Sequence, residues 1–196
     1  EVPEGTRTSR GKPIVNLFPL QDGEKITVIL PISGENRTFP EDRFIFMATS
    51  LGTVKKTPLS DFSNPRKAGI IAVHLDEDDF LIGAALTDGK HDVMLFSDGG
   101  KAVRFDENDV RSMGRVSRGV RGMKLAAGQQ VIALLVAGDE TQTVLTATEN
   151  GYGKRTPITE YTRHGRGTQG IIAIQTSERN GKVVAATLVD TDDEIM

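Results

Sequence analysis

Apolar residues in this chain gather in short runs broken by clusters of Gly, Asp, Asn, Ser and Thr, and no stretch sustains the 3.6-residue period of an amphipathic helix. Such runs predict strands, and the polar clusters between them predict tight turns. Three runs set the pattern: Ile45-Phe46-Met47-Ala48, Val93-Met94-Leu95-Phe96 and Val144-Leu145-Thr146-Ala147. Each passes through Thr49, Ser97 or Thr148 into a turn closed by Gly52, Gly100 or Gly151. The pair Asn150-Gly151 predicts a two-residue hairpin loop in which both central residues take positive φ. The three glycines stand 48 and 51 residues apart, a period that signals propellers and related arrays.

Aligning the glycines exposes the rest of the repeat. Four residues on comes a cation (Lys56, Arg104, Arg155), nine on an acid (Asp61, Asp109, Glu160), and ten on an apolar residue (Phe62, Val110, Tyr161). A second glycine opens a further predicted strand at Gly69 to Leu75, Gly119 to Leu125 and Gly170 to Thr176, with an N-terminal copy at Gly11 to Leu17. A last strand is predicted in each unit, at Ile26 to Leu30, Leu81 to Leu86, Val131 to Val136 and Val183 to Leu188. Each unit therefore reads as about four short strands, too short to bury their faces alone, and must pack against its neighbours as blades do. The expected organisation is one all-β domain over 1–196: a partial unit at 1–43 with a mobile polar loop at 33–43, blades at 44–92, 93–143 and 144–194, and the start of another at 195–196.

Composition narrows the class. Aromatics are only 5% and glycines number 21, which suits turns and short strands. With no cysteine there is no disulfide framework and no thiolate zinc site, which fits a reducing cytosol. No apolar run approaches the roughly 20 residues of a membrane span, and no secretory leader pattern is present, so no membrane partner is expected. The chain opens Glu-Val-Pro without Met, so it is expected to be a segment of a longer protein.

The net charge of −3 conceals a strong segregation. From Gly52 to Leu75, Lys55, Lys56, Arg66 and Lys67 face only Asp61. From Gly99 to Leu125, Lys101, Arg104, Arg111, Arg115, Arg118, Arg121 and Lys124 face Asp106, Glu107 and Asp109. From Gly151 to Thr176, Lys154, Arg155, Arg163 and Arg166 face Glu160. The intervening stretches are acidic. Units stacked in a common orientation would line one edge with cations, raising the local potential whatever the net charge. Duplex DNA suits such an edge, because neutralised phosphates release counterions. Glycines beside the cations let backbone N–H groups approach phosphate oxygens. A row of patches would hold a bent duplex, at an elastic cost on the order of 1–6 kcal/mol. No side-chain set is arranged for base readout, so the expected binding is largely sequence-nonspecific.

Other signals carry less. Gly165-Arg-Gly-Thr-Gln-Gly170 matches G-x-G-x-x-G, but a strand is predicted after it where a dinucleotide site needs a helix. His74, His91 and His164 are not at metal-ligand spacing, and the acidic runs at 76–79 and 190–194 lack the Gly and terminal Glu of a calcium loop. Tyr152 and Tyr161 occupy repeat positions, and Asp61, Asp109 and Glu160 read as turn residues. No catalytic site and no cofactor are expected.

At "NGYGKRT", "RGKPIVNL", "VRSMGRVSRGVRGMKL" and "EIM" the chain resembles the C-terminal domain of the bacterial gyrase A protein of DNA gyrase over essentially its whole length. That resemblance implies a β-pinwheel, a propeller-like array of four-stranded blades that exchange strands, with double-stranded DNA wrapped around its rim. It implies a role in negative supercoiling by an A2B2 holoenzyme whose ATP and Mg are bound by other domains or by gyrase B, in the bacterial cytoplasm at the nucleoid. Carried over by position, the cations after each turn (Lys55, Lys56, Arg104, Lys154, Arg155) and before the glycine-led strand (Arg66, Lys67, Arg118, Arg121, Arg163, Arg166) become rim contacts, and Arg10, Lys12, Lys101 and Arg115 complete the DNA-binding set. The family's box Gln-Arg-Arg-Gly-Gly-Lys-Gly has no copy, Arg163-His-Gly-Arg-Gly being a loose echo, and the DNA-cleaving tyrosine region is absent. The A-type component of topoisomerase IV, with a similar pinwheel, is the alternative within this class. A propeller-like protein-interaction module is the alternative outside it.

Overall fold

The computed structural model describes residues 3–32 and 39–195. Eleven strands form three antiparallel sheets among these residues. The first sheet has the order β3-β1-β2-β6, from β1 (Phe44–Thr49), β2 (Thr53–Pro58), β3 (Leu81–Thr87) and β6 (Val120–Arg121). The second has the order β10-β5-β4-β7, from β4 (Asp92–Ser97), β5 (Lys101–Asp106), β7 (Val131–Ala137) and β10 (Ile171–Ile172). The third has the order β11-β8-β9, from β8 (Thr143–Thr148), β9 (Gly153–Pro157) and β11 (Val183–Val189).

The fourth strand of a sheet comes from the next repeat unit. Val54 on β2 pairs with Val120 on β6, and Ala102 on β5 pairs with Ile171 on β10. Sheets and sequence repeats are therefore out of step by one strand. The glycine-led segments expected as seven-residue strands contribute two paired residues at β6 and β10 and none at 69–75. The reason is local: Gly119 and Gly170 sit at φ +96 and +74 beside the preceding sheet, so the chain enters each ladder through a left-handed kink and soon leaves it.

Unit-to-unit packing explains the unbroken apolar run of β4. Val93 and Leu95 point to one face and join Phe46, Ala48 and Val54 of the first sheet in one core. Met94 and Phe96 point to the other face and join Val144, Ile158 and Tyr161 of the third unit in a second core, where Phe96 meets Tyr161 edge-on at 5.8 Å. A strand covered on both sides has no polar face to alternate with. β8 is covered on one side only, and its burial alternates accordingly, with Val144, Thr146 and Thr148 inside.

The hairpins depart from the expected two-residue loop. Gly151 N donates to Thr148 O at 3.0 Å and Gly52 N to Thr49 O at 3.0 Å, and only the glycine takes positive φ, +80 and +85. Asn150 stays at negative φ, so each loop is a four-residue turn closed by a left-handed glycine. Expected strands also fail at the N-terminal end: Ile14–Asn16 is a single 3-10 turn, and 26–30 forms no strand and leaves Ile29 exposed. Residues 33–38 of the expected polar loop lie outside the described residues, and residues 39–43 hold a turn. Met196 also lies outside them, and Ile195 begins no strand.

Candidate nucleic-acid interface

After each hairpin strand the chain makes a 3-10 turn, at Leu59–Phe62, Glu107–Asp109 and Ile158–Glu160, and these turns hold Asp61, Asp109 and Glu160 as expected of turn residues. The glycine-rich basic segment follows. Its successive copies lie against one another. Arg115 Nη1 donates to Ile71 O of the preceding unit at 2.8 Å. Arg166 Nη1 donates to Arg121 O at 3.1 Å and Arg166 Nε to Asp109 O at 2.9 Å, while Gly167 N donates to Gly122 O at 2.6 Å. Glycine is required at Gly119, where a Cβ would stand 2.6 Å from Val54 O. The result is a continuous band of basic turns crossing from one unit to the next.

The band leaves most of its cations in solvent. Arg66, Lys67, Arg118, Arg121, Arg163 and Arg166 are exposed, and Arg115 is half-buried. Arg66, Lys67 and Arg121 have no side-chain ion pair among the described residues. Arg118 pairs with Asp76 at 2.8 Å, both exposed, an interaction worth about 0–1 kcal/mol and readily exchanged for another anion. Arg163 is steered by Asp92 at 2.6 Å and Asp106 at 3.6 Å, yet its side chain stays 56% exposed. Lys101, half-buried, reaches Gln169 Oε1 at 3.3 Å across the β5–β10 junction. Arg10 and Lys12 are exposed on the N-terminal stretch.

Three of the expected rim cations are instead interior, and this corrects their assignment by position. Lys55 is fully buried, its Nζ donating to the carbonyls of Ala72 and Arg115. Burial pushes its pKa below the ordinary lysine value, the nearby Arg115 guanidinium adding to the effect and Asp61 opposing it. Lys56 is buried beside Glu107 at 3.7 Å, donates to Asn108 Oδ1 at 3.0 Å, and lies over the Phe44 ring. Arg104 is buried: Nε bonds Asp92 Oδ2 at 2.6 Å, Nη2 bonds Glu140 at 2.7 Å, and Nη1 donates to the carbonyls of Ile158 and Tyr161 at 3.1 and 3.2 Å. Burial alone would loosen the Arg104 proton, but the hydrogen bonds to Glu140 and Asp92 outweigh it and raise the pKa. At the same repeat position Lys154 and Arg155 are exposed, because β9 lacks the neighbour that covers β2 and β5. A signal for this burial existed in the sequence: the counterpart of Lys55 in the second unit is Val103, an apolar residue at an aligned position.

Asp88, His91 and Glu107 converge although their spacing did not mark them. His91 Nδ1 is 2.8 Å from Asp88 Oδ1 and 3.5 Å from Glu107 Oε1. The shorter separation is tighter than the roughly 3.3 Å between two ligands around tetrahedral zinc. The 165–170 glycine segment leads into β10, so the helix that a dinucleotide phosphate site requires is not there. No helix among the described residues is long and apolar enough to cross a membrane.

Three antiparallel sheets arrayed by repeat and tied together by exchanged strands define a propeller of the pinwheel kind. A family model described as DNA gyrase C-terminal domain, beta-propeller, matches residues 1–33, 43–88, 91–137 and 142–190, and the chain belongs to that family. It is 56% identical to the gyrase A protein of Klebsiella oxytoca DNA gyrase over 196 residues and 51% identical to that of Escherichia coli K12 over 197, covering 100% of this chain in both cases. The chain spans only 22% of the length of those relatives. Among solved structures, a DNA gyrase A C-terminal domain superposes with a TM-score of 0.80 at 30% identity, over 94% of this chain and 60% of the other. The C-terminal domain of a DNA topoisomerase IV superposes at 0.85 with 26% identity, over 92% of this chain and 55% of the other. Backbone shape is thus shared by both enzymes, while the sequence lies nearer gyrase A.

Proposed function

We propose that this chain binds duplex DNA along its band of basic turns and bends it, serving the wrap by which gyrase A, with gyrase B and ATP, introduces negative supercoils. The observation that carries this reading is the exposure of Arg66, Lys67, Arg118, Arg121, Arg163 and Arg166 on glycine-rich turns that lie against one another from unit to unit. Cations on one turn could grip a phosphate or two, but a contiguous band follows a path and can offset the elastic cost of a curved duplex. Exposed guanidiniums on glycine-flanked backbone suit phosphates, and nothing in the band presents a base-reading set, so binding is nonspecific. Chemistry on DNA belongs to other parts of the full-length protein.

Titrating a mixed-sequence duplex with the protein at several salt concentrations tests this. The expected log–log slope is near −0.9 for each phosphate neutralised. Replacing Arg121 and Arg166 together by Gln should weaken all sequences equally and make the slope shallower by about 2. Absence of DNA affinity at the lowest salt would leave only a protein-interaction role for the array.

A further inference from the structure

The contacts between the first and second units recur between the second and third. Gly122 N donates to Gly52 O at 2.8 Å, and Ala173 N donates to Gly100 O at 2.8 Å. Met113 N donates to Lys56 O at 2.9 Å, and His164 N donates to Arg104 O at 2.8 Å. Val131 N reaches Ser50 O at 2.8 Å, and Val183 N reaches Asp98 O at 2.9 Å. Superimposed on this backbone ladder is a side-chain contact. The cation four residues after the hairpin glycine turns away from the rim and grips the 3-10 turn of the following unit: Lys56 holds Glu107 and Asn108, and Arg104 holds the Ile158 and Tyr161 carbonyls.

The third unit carries the same parts with no following unit among the described residues. Arg155 occupies the latch position, and the carbonyls of Gly151 and Arg155 face no such donors there. β9 is exposed along most of its length where β2 and β5 are buried, and on its sheet Val184 is 54% exposed. We propose that Arg155 is the third copy of this latch and binds the 3-10 turn of one further unit of the same kind in the full-length protein, so that it contacts carbonyls or carboxylates of protein and not a DNA phosphate. The occupant follows from the repeat. Both existing latches close on the next unit, both pass a cation through the interface, and the chain amounts to 22% of the proteins it matches. Lys154, aligned with buried Lys55 and Val103, is covered by the same closure.

The inference deepens the DNA-wrapping reading by removing two cations from the binding surface and giving one of them the task of setting the tilt of the next blade. The test compares Arg155→Gln with wild type in the full-length protein by two readouts. One is the Tm of the C-terminal domain, and the other is the salt slope for a short mixed-sequence duplex. The expected result is a Tm lower by about 4 °C or more with an unchanged slope. A slope shallower by about 0.9, with or without a Tm change, makes Arg155 a phosphate contact and overturns the proposal. Unchanged values for both readouts also overturn it, as does a Tm difference that depends on protein concentration, which would make the occupant a second copy. Should the Gln variant lose its cooperative transition, Arg155→Met, which keeps much of the side chain's bulk without its charge, is read the same way. If wild type itself shows no salt-dependent DNA affinity, the wrapping reading fails while the Tm comparison still decides the latch.

Discussion

Replacing Arg104 by Met leaves a chain of similar bulk in the interface but removes every polar contact of the guanidinium. The arm to Glu140 contributes little, since that carboxylate is 64% exposed, and pairs of this kind are worth about 0–1 kcal/mol. Asp92 matters more. It is 5% exposed and loses a 2.6 Å partner, though Arg163 still meets both its oxygens, Nη2 at Oδ1 at 2.6 Å and Nε at Oδ2 at 3.2 Å. Ile158 O keeps the Tyr161 N–H at 2.9 Å, but Tyr161 O loses its donor, at about 1–3 kcal/mol for a buried group left without a partner. The total falls at about 2–4 kcal/mol, because Asp92 keeps Arg163 as its counter-charge. In a domain of this size that lowers Tm by roughly 4–16 °C. Scanning calorimetry together with urea denaturation followed by circular dichroism measures it. A loss under about 1 kcal/mol would refute the reasoning, because Arg104 would then be acting as a surface cation. A second arm sharpens the test: combining Arg104→Met with Asp92→Asn should cost less than the sum of the two single changes, since both remove the same Arg104–Asp92 pair. Strict additivity of the two changes would count equally against the account.

Two further outcomes are expected. Gly119→Ala places a methyl group against Val54 O at a φ of +96, so the β2–β6 pairing should open; hydrogen exchange at Val54 and Val120 would show it, and protection equal to wild type would contradict it. Lys55 has a folded pKa below its ordinary 10.5, so between those two values the unfolded state binds the extra proton and stability rises with pH. Wild type should therefore gain on the Lys55→Met variant as pH climbs from neutrality toward 10.5, and a gap in denaturation midpoint that does not change would sink this.

How legible was this in the residues? The hairpins were, because an apolar run, a hydroxyl residue and a glycine at fixed spacing leave the chain little choice. The register of the repeat was equally plain, down to the acids of the three 3-10 turns. What alignment could not supply was which side of a strand the neighbouring unit covers. Lys55 and Lys56 point to opposite faces of β2, and each face is closed by a different segment, so two adjacent cations that look solvated are both interior. In the basic turns the cations stay exposed while a few apolar residues, Met113 and Met123 among them, turn inward against the core. At the N-terminal end, 26–30 has the right composition for a strand but no partner edge, and composition alone does not make a ladder.

Because Val54 waits for Val120, and Ala102 for Ile171, neither of the first two sheets can be completed from its own stretch of chain. A growing polypeptide would hold an open edge on its newest sheet until the following unit has emerged to close it. Shortening the gene at a repeat boundary would therefore strip the last strand from the blade before the cut.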